Sequence, residues 1–142
     1  MTTFERDGIR LAYPENWELQ FEAGEDGGWT AMIQSPDTAF LLMSLQPQAG
    51  DPAELADQTL ETLKAEYQEL DDENRVETLA GRVAIGHDID FLTLDAAITC
   101  RTRCVETLAG PLLLMAQVSE FDIERNDPVL RAMAASLAIA EE

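Results

Sequence analysis

Gly8-Ile9-Arg10-Leu11-Ala12-Tyr13-Pro14-Glu15-Asn16-Trp17 is the stretch on which the fold turns. Ile9, Leu11 and Tyr13 alternate with Arg10 and Ala12, the period-two pattern of a strand with one buried side. Pro14 has no N–H to donate and a fixed φ, so the strand ends there. Trp17 follows three residues later and is large enough to anchor the turn against a core. The stretch contains no reactive group and therefore speaks to shape.

Downstream, Gly24-Glu25-Asp26-Gly27-Gly28 reads as an acidic, glycine-rich loop, expected to be mobile. It leads into a strand from Trp29 to Gln34. Ser35-Pro36-Asp37-Thr38 is a turn by residue type, and Ala39 to Gln46 returns as the second arm of a hairpin. With Pro36-Asp37 at the tip, Ile33 pairs with Phe40, Ala31 with Leu42 and Trp29 with Ser44 on a core face. The other face then carries Met32 opposite Leu41 and Thr30 opposite Met43, with Leu45 beyond.

Asp51 is a natural N-cap, Pro52 suits the first helical position and Glu54 completes a capping-box-like pattern. Leu55, Thr59, Leu60, Leu63, Tyr67 and Leu70 follow at helical spacing. Asp71-Asp72-Glu73-Asn74 reads as the solvated loop that ends this helix. Val76-Glu77-Thr78-Leu79-Ala80-Gly81 recurs as Val105-Glu106-Thr107-Leu108-Ala109-Gly110. Only six residues repeat, so these are two strand-to-turn junctions of one meander and not a solenoid. Strands are expected at 82–92, 97–106 and 111–119, the last apolar on both sides as a central strand is. A final helix takes Asp127 as cap and Pro128 at its first position, with Leu130, Met133, Ala134 and Leu137 as its stripe. The order β-β-β-β-α-β-β-β-α predicts an α+β domain, a mainly antiparallel sheet packed by two principal helices.

The chain has 142 residues, 46% of them hydrophobic, which suits one domain spanning residues 1–142. Met1 to Asp7 contains no apolar leader segment and the longest apolar run, Leu112 to Ala116, is far short of the ~20 residues of a membrane span. A cytoplasmic or already mature chain is the expectation, with cytoplasmic preferred. Net charge is −19, from 28 acidic residues against 9 basic ones, of which only Lys64 is a lysine. Such a surface repels phosphate backbones and anionic lipid, which argues against nucleic-acid and membrane partners. The charge serves solubility, or it steers in a basic partner. Cys100 and Cys104 share one face of a strand at a separation of ~13 Å. A disulfide needs about 7 Å or less, so both read as small buried hydrophobes.

His87 is the only histidine, and alternation places it on an apolar strand face with Val83, Ile85, Ile89 and Phe91. No nucleophile elbow, Walker loop or dinucleotide fingerprint occurs. His87 facing Cys100 or Cys104 would make a site too sparse for zinc. The chain is therefore expected to be no enzyme, with no catalytic residues, metal or cofactor. Asp88 and Asp90 lie on the opposite face, and a turn centred at 94–95 sets Asp88 across from Arg101, with Arg103 diagonally close. Cross-strand ion pairs are the natural result.

Tyr13-Pro14-x-x-Trp17 after an alternating strand, the capped mid-chain helix, Gly81-Arg82-Val83-Ala84 opening a long hairpin, and a terminal helix ending near Ser136-Leu137 resemble the PsbP-like superfamily over nearly the whole chain. That family includes the extrinsic PsbP subunit of photosystem II, a Ran-binding nuclear import factor and bacterial chaperones of type VI secretion effectors. In size the chain is most similar to the bacterial group. The resemblance implies an α/β/α sandwich with a six- to seven-stranded sheet and a role in binding proteins, usually without catalysis. The expected site is a sheet face joining Met32, Leu41 and Met43 to Asp88, Asp90, Arg101 and Arg103. It would dock a hydrophobic helix or basic segment of a partner protein, on a monomer or homodimer. If the final helix covers that face, the methionines are core instead. The alternative function is a small-ligand-binding domain or an enzyme with a pocket near His87 and the acidic loop.

Overall fold

In the computed structural model, which describes residues 1–141, β1 (Thr2–Arg6) and β2 (Ile9–Tyr13) form an antiparallel hairpin. Asp7 and Gly8 turn it with φ of +52° and +77°, the left-handed pair that matches strand twist in a two-residue turn. β2 also pairs with β10 (Ala138–Ile139), completing a three-stranded sheet in the order β1-β2-β10. Pro14 ends β2 as expected. The Trp17 N–H donates to the Pro14 carbonyl at 3.1 Å, and the Trp17 ring is buried in the core.

The chain passes from Trp17 into β3 (Glu18–Ala23), β4 (Trp29–Gln34), β5 (Phe40–Leu45), α1 (Pro52–Glu66), β6 (Leu70–Leu79), β7 (Arg82–Leu92), β8 (Ala97–Thr107), β9 (Gly110–Ser119) and α2 (Ile123–Ala135). The main sheet has seven strands in the order β3-β4-β5-β9-β8-β7-β6, antiparallel throughout. The α+β class and the seven-stranded antiparallel sheet agree with the sequence. α1 packs on one face, placing Leu55, Ala56, Leu60 and Leu63 against residues of β7, β8 and β9. The opposite face is covered by α2 and the small sheet together, and this layer holds the largest core cluster. Phe4 of β1 packs on Trp29 of β4 at 5.3 Å, and the Trp29 indole N–H donates to Asp7 at 2.8 Å.

The hairpin register differs from the one expected. The turn is wider, a loop closed by the Ser35 N–H on the Ala39 carbonyl at 2.9 Å. Pairing shifts by one residue, to Ile33 with Leu41, Ala31 with Met43 and Trp29 with Leu45. A one-residue slip exchanges the two faces of a strand. Leu41 and Met43 are therefore fully buried in the α2-side core, while Phe40, Leu42 and Ser44 join Met32 and Thr30 on the α1 side. The loop is held from outside: Asp37 accepts from Arg125 at 2.8 Å and from Asn126 at 3.1 Å, and the Thr38 hydroxyl donates to Asp122.

Both helices also depart from the expected limits. Asp51 caps α1 as read, accepting from the Glu54 N–H at 2.8 Å. The helix stops at Glu66, however, and residues 70–79 form edge strand β6, which takes in the expected loop at 71–74 as well as the expected strand end at 76–79. β6 is exposed along nearly its whole length, and its charges suit an edge that must not pair with other chains. α2 begins at Ile123, one turn before Asp127, and Pro128 lies inside it. The Arg125 and Asn126 N–H groups donate to the Asp122 carbonyl at 3.1 and 2.9 Å and hold that added turn.

Candidate functional site

The structure divides the expected site among three places. Met32 lies on the α1 side of the sheet, Leu41 and Met43 lie in the core, and Asp88, Asp90, Arg101 and Arg103 lie on the α2 side.

The last group arises from the β7–β8 hairpin, whose register is the expected one, with Asp88 directly opposite Arg101. The ion pair formed is the diagonal one. Asp88 accepts from Arg103 Nη2 at 2.9 Å and from Arg75 Nε on β6 at 2.7 Å. Arg103 also donates to Glu77 at 3.1 Å, to the Thr102 carbonyl at 2.7 Å and to the His87 carbonyl at 3.3 Å. Arg101 turns to α2, where its Nη1 lies 2.7 Å from Asp127 Oδ1, and Arg131 Nε lies 2.9 Å from Asp127 Oδ2. Asp90 stays exposed and accepts from the Thr99 hydroxyl at 3.3 Å. Asp127 and Arg131 did not stand out in the sequence, although their i,i+4 spacing on a helix is a signal for an ion pair.

Burial alone would raise the Asp127 carboxyl, but the Arg101 and Arg131 guanidinium groups beside it outweigh it and hold the group below its ordinary value. Asp88 is held down in the same way, burial being outweighed by Arg103 and Arg75. A carboxylate depressed in the folded state stabilises the protein above its unfolded pKa, and that stabilisation disappears as pH falls through the folded pKa. Asp127→Asn should therefore cost about 2 kcal/mol at neutral pH. The difference from wild type should be constant from about pH 5 to 8 and shrink below about pH 4. Chemical denaturation at several pH values reads it.

His87 lies on the α1 side as expected and is buried. Its backbone N–H donates to Thr102 Oγ1 at 3.0 Å, and its Nδ1 has no partner among the described residues. It stands opposite Thr102, while Cys104 and Cys100 stand opposite Ile85 and Ile89. Burial pushes both thiols up to about 12, which leaves essentially no thiolate at neutral pH. Both cysteines are free. The acidic loop is closed by two bonds of its own, Gly24 N–H to the Gly28 carbonyl at 2.7 Å and Gly28 N–H to Asp26 at 3.1 Å. It joins β3 to β4, with β5, β9 and β8 between it and His87. A single pocket shared by His87 and the loop is thus excluded by the strand order.

The α1-side face is open along β3 and β4, while on β5 Leu42 packs at the margin of the cluster built on Leu55 and Ala56 and Ser44 is buried. Gln20, Met32, Leu42 and Met115 form one cross-strand row over β3, β4, β5 and β9. Met32, Phe40 and Leu42 are half-buried. Glu18 and Glu22 flank the row on edge strand β3, on the same face. At the end of these strands a cavity of about 520 Å³ opens between Thr30, Ser44, Gln46 and Gln58 of α1. Among the described residues no helix is long and apolar enough to cross a membrane.

Comparison with protein-family models and with curated proteins finds no match. Solved structures do match. A Pseudomonas aeruginosa protein of unknown function, a candidate regulator, superposes with a TM-score of 0.62 at 15% identity, covering 100% of this chain and 99% of its own. The cyanobacterial PsbP of Synechocystis gives 0.62 at 12% identity, covering 98% of this chain and 92% of its own. The protein has a PsbP-like fold. LpqN of Mycobacterium tuberculosis, involved in cell envelope biogenesis, shares it, with a TM-score of 0.57 at 15% identity over 98% of this chain and 90% of its own. Identities this low establish the PsbP-like fold and leave function to the residues of each chain.

Proposed function

We propose that the protein is a non-enzymatic interaction module that binds a segment of a partner protein on the open, α1-side part of its main sheet. The observation that carries this reading is the incomplete cover of that face. α1 packs over β7, β8 and β9 and reaches β5 only at Leu42, leaving Met32, Phe40 and the outer side of Leu42 half-buried. Methionine adapts to irregular apolar partners. The acidic edge formed by Glu18 and Glu22, on a chain of net charge −19, favours a partner segment that joins apolar to basic residues.

A photo-crosslinking residue placed at Met32 tests the reading in the cells that make the protein. The expected result is a discrete adduct from position 32 that is absent from position 108, an exposed site on the β8–β9 turn, and is lost when Leu42→Glu is added. Equal products from positions 32 and 108, or none from 32, would overturn it.

A further inference from the structure

A cavity of about 260 Å³ lies between α2 and the α2-side face of the main sheet. Its apolar walls include Leu114 and Ala116 of β9 with Leu130 and Ala134 of α2, and Arg101, Arg103 and Arg131 also line it. The chain contains nine basic residues in all, so the gathering of three at one small cavity runs against its composition.

The three arginines are not equivalent. Arg103 is committed to the protein through Nε, Nη1 and Nη2, on Glu77, two backbone carbonyls and Asp88. Arg101 and Arg131 share one carboxylate, Asp127, with one contact each. Among the described residues their guanidinium groups make no other hydrogen bond. Two cations on one anion leave +1 on this cluster, while Glu77, the one carboxylate in the cavity lining, is paired with Arg103. Arg101 is well shielded, its side chain 15% exposed, so water screens its field only in part. A guanidinium presents paired N–H groups in a fork that fits a carboxylate.

We propose that this cavity binds a small organic acid, with its carboxylate on the free N–H groups of Arg101 and Arg131 and a short apolar tail against Leu79, Ala116 and Ala134. The volume lies below the ~300–1,000 Å³ of sites for drug-sized ligands, which restricts the tail to a single unbranched chain no longer than that of octanoate. The site is separate from the open α1-side face, which lies on the other side of the sheet, and does not depend on the partner reading.

Octanoate is the probe, titrated into the ¹⁵N-labelled protein. Saturable shifts of the Leu79, Ala116 and Ala134 amides are expected in the millimolar range, with no saturation by octanol or acetate at equal concentration. Arg131 is two-thirds exposed, so Arg131→Gln should fold normally and weaken octanoate about tenfold, the effect of one charge-assisted hydrogen bond. Ala134→Leu, which fills the cavity and keeps both arginines, should abolish binding. Added salt screens the long-range repulsion of an acidic protein more than the shielded contact, so 0.3 M NaCl should leave the affinity unchanged or raise it. Equal binding of octanol, equal binding by Arg131→Gln, or no saturable shift would each overturn the assignment.

Discussion

Met43→Asp should remove most or all of the folded state at pH 7, whereas Met32→Asp, one strand away, should cost only about 1 kcal/mol. Met43 has no exposed surface and packs among Leu41, Leu114 and Met133 in the layer beneath α2. Replacing it forfeits about 1.5–3 kcal/mol of apolar burial. The nearest cation in its cross-strand row, Arg103, is two strands away and already committed to Glu77 and Asp88, and forcing the new carboxyl to stay neutral at pH 7 costs roughly 4 kcal/mol more. The sum approaches the ~5–15 kcal/mol that holds a domain folded, so the melting temperature should drop by at least ~15 °C or the transition should vanish. At position 32 the same carboxylate reaches water on the open face. The contrast tests the register directly. With the hairpin tip at Pro36-Asp37, Met32 and Met43 would share one face and behave alike. Similar melting curves for the two variants would therefore contradict the pairing of Ala31 with Met43.

What the sequence could convey here depended on whether local chemistry set the geometry. The Thr93–Ala96 turn is closed by its own residues, Thr93 N–H to the Ala96 carbonyl at 2.9 Å. The position of Asp88 opposite Arg101 was therefore legible. The Ser35–Ala39 loop takes its width from Arg125, Asn126 and Asp122, more than eighty residues away, and nothing near Pro36 announces them. For the same reason Asp127 looked like the cap of α2, because the preceding turn is fastened at Asp122 by tertiary contacts. β6 lacks alternation because, as an edge strand with both faces largely wet, it needs none. In the candidate sites, the charges of Arg101 and Arg103 were plain, but their partners were set by the path of α2 and by β6. That Met32 faces an open surface follows from where α1 stops short, a matter of packing between helix and sheet.

Gly86→Ala should destabilise the protein by about 3 kcal/mol, with a loss of roughly 10 °C in melting temperature. Gly86 is buried in β7 opposite Arg103, and a Cβ added there would overlap the Thr102 carbonyl of the neighbouring strand. The obstacle is backbone, so relief requires β7 and β8 to part. That carbonyl is also the acceptor of Arg103 Nη1. To reach Glu77 on β6 from β8, the Arg103 side chain must cross β7 on the face where Gly86 presents no side chain. An alanine would thus press on the sheet ladder and on a side chain that, with Asp88, ties β6, β7 and β8 together. Arg103→Ala offers a way to separate these effects. If the damage came from crowding the arginine, trimming it would restore Gly86→Ala to near the stability of Arg103→Ala alone. Because the overlap is with the Thr102 carbonyl, the double variant should instead be less stable than either single one. Amide exchange should quicken most in β7 and β8 around positions 86 and 102. A Gly86→Ala protein within 1 kcal/mol of wild type would mean that the bare backbone at this point is not what lets the three strands close.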